Sequence, residues 1–153
     1  MQHDAGFGLG TNEVKRRHIL LKALVVGIVA GLLASGFRVA VQTLERGRVH
    51  FLTDLPLAER LPLAIALGAA GSALGLWLVR RFAPDAGGSG IPQLKGFVMG
   101  EHSLEWRRLI PVKFLAGVAG IGGGLALGRE GPTIQMGGGT GLMVSEWFRV
   151  KPG

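Results

Sequence analysis

Residues 114–128 and 131–145 are two fifteen-residue stretches without a charge, and the only residues between them are Arg129 and Glu130. Residues 61–79 are uncharged for nineteen more, close to the ~20 that cross ~30 Å of hydrocarbon as a helix. From 19 to 37 only Lys22 interrupts the apolar run, and its long stem lets the ammonium reach an interface. Two of these blocks, 19–37 and 61–79, are ordinary candidate spans. The fold class that follows is all-α: a polytopic membrane protein, integral and multi-pass, with the lipid bilayer as its surroundings.

The later blocks differ from the first two. As helices, 114–128 and 131–145 would each rise only ~22 Å at ~1.5 Å per residue. Short apolar segments interrupted by Gly and Pro are how discontinuous transporter helices look in sequence. A helix broken at membrane depth frees backbone N–H and C=O groups, which is tolerable only around a protein-lined cavity. The pattern therefore points to a site.

Charge distribution supports the same class. Charged residues make up 18% of the chain, below the roughly one quarter of soluble domains. They gather at 15–17, 46–60, 80–85, 101–108 and 146–151. The net charge of +7 sits at the edges of apolar blocks, with aromatics only 7%, so flanking charges that orient spans explain it and nucleic acid is not an expected partner. Lys15, Arg16, Arg17, Lys22, Arg80 and Arg81 lie on one side, and Arg46, Arg48 and Arg60 on the other; that bias favours a cytoplasmic N-terminus. A plasma (inner) membrane location is expected.

Residues 1–14 read as a loose tail and 43–60, charged and broken at Pro56, as a loop. The domain division is 1–17 cytoplasmic tail, 18–151 membrane domain, 152–153 tail. A signal peptide is disfavoured, because Lys22 interrupts its apolar region early and a second full-length span follows. Trp77, Trp106 and Trp147 stand near segment ends, as interfacial anchors do. The 27 glycines include Gly27/Gly31, Gly71/Gly75, Gly120/Gly124, Gly124/Gly128 and Gly137/Gly141. Four-residue spacing on a helix lets backbones approach closely. No cysteine is present and His3, His18, His50 and His102 are scattered, so no metal site and no cofactor are expected. No Walker A loop or nucleophile elbow occurs either, and an enzyme is not indicated.

Two short motifs carry chemistry. In "GGSGIP", residues 87–92, Ser89 suits an N-cap and Pro92 a first helical turn. A helix beginning there aims free N–H groups and its positive dipole end at an anion; a plain Gly-Pro turn opening an amphipathic helix reads equally well. In "GREGP", 128–132, Pro132 again suits a helix start. Two such N-termini aimed at one point would hold an anion without a fixed positive side chain and so still release it. A carboxylate there, Glu130, would take the anion's place while ionised and withdraw when protonated. A surface Arg129–Glu130 pair at a loop is the plainer alternative, although intramembrane ionisable residues are functional by default.

"GGSGIP", "PVKF" at 111–114 and "GREGPTIQMGG" at 128–138, in that order, closely resemble the CLC family of chloride channels and chloride/proton antiporters, over about residues 25–151. The resemblance implies chloride as the transported ion, with protons as the second. It implies that the Ser89 hydroxyl contributes to a central chloride site, with Gly90 and Ile91 at the helix start. Glu130 corresponds to the family's external gating glutamate, and Arg129, Gly131 and Pro132 share a motif whose amides face the anion path. Lys113 matches a lysine near the pathway and is expected to act through its charge. Serine at position 89 matches the chloride-selective pattern, as opposed to the nitrate or fluoride branches. The family's unit is built from two inverted halves, so this chain corresponds to an N-terminal portion. Its partners would be the remainder of the domain and, when complete, a second copy in a homodimer; by itself it is not expected to transport. A non-transporting membrane subunit that packs against a complementary half is the alternative.

Overall fold

The computed structural model describes residues 9–101 and 103–148, with residues 9–16 and His18 described by their backbone alone. Residues 1–8 of the N-terminal tail, residues 149–151, and the 152–153 tail lie outside the described residues, as do His3 and His102. Five α-helices follow one another: α1 Leu9–Thr53, α2 Leu57–Phe82, α3 Ile91–Val98, α4 Trp106–Gly123 and α5 Glu130–Trp147, with one 3-10 turn at Pro84–Ala86. No strand occurs among the described residues. Two helices, over Ile19–Thr53 and Leu57–Phe82, are long and apolar enough to cross a membrane.

The stretch 43–60 is not the loop its charges suggest. Helix α1 runs on to Thr53, only Asp54, Leu55 and Pro56 turn, and α2 starts at Leu57. Charge marks where a helix leaves hydrocarbon, not where it ends. Pro56 is the first proline in the chain, and nothing before it removes a backbone donor. The polar residues of that stretch are in use. Arg48 Nε donates to the Gly122 carbonyl at 3.2 Å, and Arg60 ties the turn by donating to the Thr53 and Leu55 carbonyls at 3.0 and 3.1 Å. Helix α1 also begins at Leu9, inside the stretch read as tail.

Helix α4 is the element the others share. Along α2 and α4 the contacts pair Gly68 with Gly123, Gly71 with Ala119 and Gly75 with Ala116, so these helices run antiparallel. A Cβ on Gly71 would strike the Ala119 carbonyl, and one on Gly75 would sit 3.0 Å from that of Ala116. The Gly71/Gly75 pair thus does what its spacing predicts. On its other side α4 meets α1 in parallel, Phe37 against Gly117 and Leu44 against Gly122. Phe37, Val41, Ile121 and Met136 are buried together, with Phe114 edge-on to Phe37 at 5.6 Å between centroids. Burying such side chains stabilises by about 1.5–3 kcal/mol each in water; in hydrocarbon close packing carries the association instead.

The other glycine pairs do not behave alike. Gly27/Gly31 and Gly137/Gly141 have open space where a Cβ would stand. Gly124 and Gly128 are not on a helix face at all, because α4 stops at Gly123. The stop is closed by the Leu125 amide donating to the Gly120 carbonyl at 3.1 Å. The helix therefore begins earlier, at Trp106, and ends earlier than the uncharged stretch 114–128 predicts. At the far end Trp106 and Trp147 meet edge to face at 6.4 Å, Trp106 Nε1 donates to Glu146 at 2.9 Å, and the Lys22 ammonium lies 5.7 Å from the Phe148 ring centre. Aromatic rings and charges mix there as they do at a membrane interface.

Candidate functional site

Helix α2 ends at Phe82, and the chain folds back through Pro84–Ala86 and the turn 87–90 before α3 begins. Ser89 is not the N-cap. Gly90 takes that place, at φ 79°, and no side chain caps the helix. A left-handed backbone suits glycine alone among common residues, and here space forbids anything larger. A Cβ on Gly90 would lie 2.5 Å from the Cβ and the Cδ of Gln135. Since Gly90 holds the cap, Ser89 is left exposed on the turn.

The turn is gripped from two sides. Lys113, buried on α4, donates from Nζ to the Ala86 carbonyl at 2.8 Å and the Gly88 carbonyl at 2.7 Å. Gln135, fully buried on α5, donates from Nε2 to the Asp85 carbonyl at 2.7 Å. Hydrogen bonds from a charged donor are worth about 1.5–3 kcal/mol each. Lys113 is therefore a tie that shapes the turn as well as a charge.

Contacts between α5 and the start of α3 with the turn before it keep one order along both elements. Ser89 touches Gly131, Gly90 touches Gln135, and Leu94 touches Gly138. The two helices are parallel, with their N-termini side by side. Each opens in the same way: the first backbone bonds run from Leu94 to the Gly90 carbonyl and from Thr133 to the Arg129 carbonyl. Pro92 sits two residues, and Pro132 one residue, before that first bonded amide. The amides ahead of each proline have no partner in their own helix, and the dipoles add at one place.

A cavity of about 610 Å³ opens at that place. Ser89, Lys113, Gly128, Gly131 and Pro132 line it, together with apolar and glycine positions of α2 and α4 such as Gly75, Ala116 and Ile121. The expected site residues thus divide. Ser89, Lys113 and Gly131 share the cavity wall, and Gly90 is buried directly behind Ser89. The Glu130 carboxylate folds back over Gly128, at the edge of the same wall. Ile91 opens α3 with its side chain half exposed. Arg129 faces elsewhere: its Nη2 lies 2.8 Å from Glu45 Oε2 on α1, beside an open groove lined by Gln42, Arg46 and His50. That guanidinium is already paired, and Arg129 lines the groove and not the cavity.

Sequence patterns alone did not single out Gln135 or Glu45. Gln135 sits inside a matched motif, yet an uncharged amide within an apolar run carries no signal of its own. Glu45 lies eighty-four residues from Arg129, a pairing visible only in three dimensions.

Residues 70–153 match the model of a family described as "Voltage gated chloride channel". The chain belongs to that family, the CLC proteins. Among curated relatives, the H(+)/Cl(-) exchange transporter ClcA of Vibrio campbellii is 45% identical over 136 residues, covering 87% of this chain and 29% of the relative. The protein of the same name from Vibrio cholerae is 44% identical over 136 residues, with the same coverages. That of Yersinia pseudotuberculosis is 43% identical over 135 residues, 87% of this chain and 28% of its own. This CLC chain spans under a third of the length of the curated relatives it matches. It is a membrane-protein chain of a chloride-transporting family, and the all-helical fold agrees.

Proposed function

We propose that this chain forms one side of the chloride path of a proton-coupled chloride transporter, with Glu130 as the group that exchanges places with the anion. The parallel α3 and α5, whose N-termini meet at one cavity, carry the reading. Free amides at 90–91 and 130–131, with the Ser89 hydroxyl beside them, would hold chloride. Lys113 keeps the turn in place and adds positive potential. Chloride and protons are the cargo, and no resident cofactor has a role. When ionised, the Glu130 carboxylate competes for the same dipole ends, and protonation releases it. The remainder of a two-halved domain would close the exposed face of Ser89 and Glu130, and a second copy would complete a homodimer in the plasma (inner) membrane.

The test is a graft of this chain into the Vibrio campbellii transporter in place of the matched 136 residues. Reconstituted in liposomes, the graft should release chloride and move protons against it. Glu130→Gln should keep chloride moving while proton movement falls at least about tenfold, the scale of a lost general acid–base group. A graft that inserts but passes fluoride and no chloride would refute the chloride assignment. Unchanged proton coupling in Glu130→Gln would refute the gating role.

A further inference from the structure

We infer that Gln135 is the positioning residue that sets the gap between the Ser89 turn and the N-terminus of α5. The inference rests on the anion reading above, and adds to it the part that fixes the seat's dimensions. Gln135 is fully buried and reaches across fifty residues of sequence to the Asp85 carbonyl at 2.7 Å. Its stem fills the space in front of Gly90, so closely that a single added carbon there would overlap it. The side chain thus acts twice: the amide N–H pulls the turn in, and the methylenes stop it from coming closer. Its own Oε1 is buried and meets no donor among the described residues. A residue chosen for packing alone would leave no buried acceptor bare, since that is destabilising. An apolar residue of the same length would fill the space equally well.

No other side chain among the described contacts bonds Asp85. Lys113 holds the two neighbouring carbonyls, at Ala86 and Gly88, from the opposite helix. Ser89 therefore follows directly on a turn tied both to α4 and to α5. Altering the second should shift Ser89 relative to Gly131, whose absent side chain already leaves the Ser89 carbonyl 2.9 Å from where a Cβ would stand. A wider gap would discriminate less between a small and a large halide.

The experiment uses the full chain in lipid nanodiscs with two variants. Gln135→Met keeps the stem and removes the donor; Gln135→Asn keeps an amide one methylene too short to reach Asp85. Amide hydrogen exchange at 87–90 should quicken at least about tenfold in both, with helical content as in the parent. Chloride NMR line broadening, reversed by added iodide, should show the chloride-to-iodide preference falling at least about threefold. A merely structural role would change stability and leave that ratio alone. Exchange at 87–90 as slow as in the parent would overturn the tether; a quickened turn with the parental ratio would overturn the selectivity role. If Gln135→Met does not assemble, Gln135→Asn reports the same bond. A parent chain that broadens no chloride signal sinks the anion reading and the selectivity role with it, and the exchange result then decides the tether by itself.

Discussion

Lys113 shows how one side chain can shape a turn that belongs to another part of the chain. Both carbonyls it satisfies belong to the turn that presents Ser89. Lys113→Met would leave them bare, at about 1–3 kcal/mol each, so the turn should loosen and thermal unfolding in detergent should come at a clearly lower temperature. A melting curve that overlays the parent's would show that the ties carry no weight. Gly90→Ala is predicted to be at least as damaging. The left-handed backbone alone disfavours a side chain by about 1–2 kcal/mol, and the Gln135 stem occupies the space. Soluble, folded Gly90→Ala with parental exchange at 87–90 would contradict the packing described here. At this scale the sequence was partly readable. The motif showed that 87–92 opens a helix, and Pro92 falls in its first turn. It pointed to Ser89 as the cap, whereas Gly90 takes that place, because a serine cap needs an extended backbone and the left-handed turn is fixed by Gln135, forty-five positions on.

Among the elements, composition told spans from breaks but not where helices stop. The uncharged stretch 61–79 lies wholly within α2, and 131–145 wholly within α5. By contrast the charged 43–60 is mostly helix, and two of its charges find partners far away in sequence, on α4 and at the cap of α5. Glycine spacing proved equally ambiguous, and the two pairs that look identical in sequence predict opposite outcomes in the fold. Gly71→Leu should force α2 away from α4, because the Ala119 carbonyl has no way to yield; overpacking of this kind costs about 1–3 kcal/mol, occasionally more. Gly27→Leu meets open space and should stay within about 0.5 kcal/mol of the parent, as surface changes do. Thermal unfolding of the two variants side by side checks the contrast. Equal losses would mean that Gly27 also faces a partner.

As a whole, the molecule is a bundle with an uncovered interior. Ser89 and Glu130 are both exposed, and the apolar window of α1 has none of its residues buried. An anion leaving water for such a cavity would be shielded on one side only. The chain by itself, reconstituted in liposomes, is therefore predicted to release chloride no faster than empty vesicles do. Sustained release would mean that these helices close a path by self-association. The same face explains why the fold class was the easiest feature to read from sequence and the site the hardest. Hydrocarbon imposes its demand on every residue of a span, whereas the cavity depends on a handful of contacts between α3 and α5.

On the proposed reading the donors at that cavity are mostly peptide groups, so most replacements there would leave the chemistry intact and alter only the spacing. Scanning the region with alanine would read out room, not reactivity: the deepest losses should fall where a methyl group has nowhere to go. Tuning the proposed seat for another ion would then be a matter of carpentry, shimming two backbone ends nearer or farther apart, more than of exchanging one charged side chain for another.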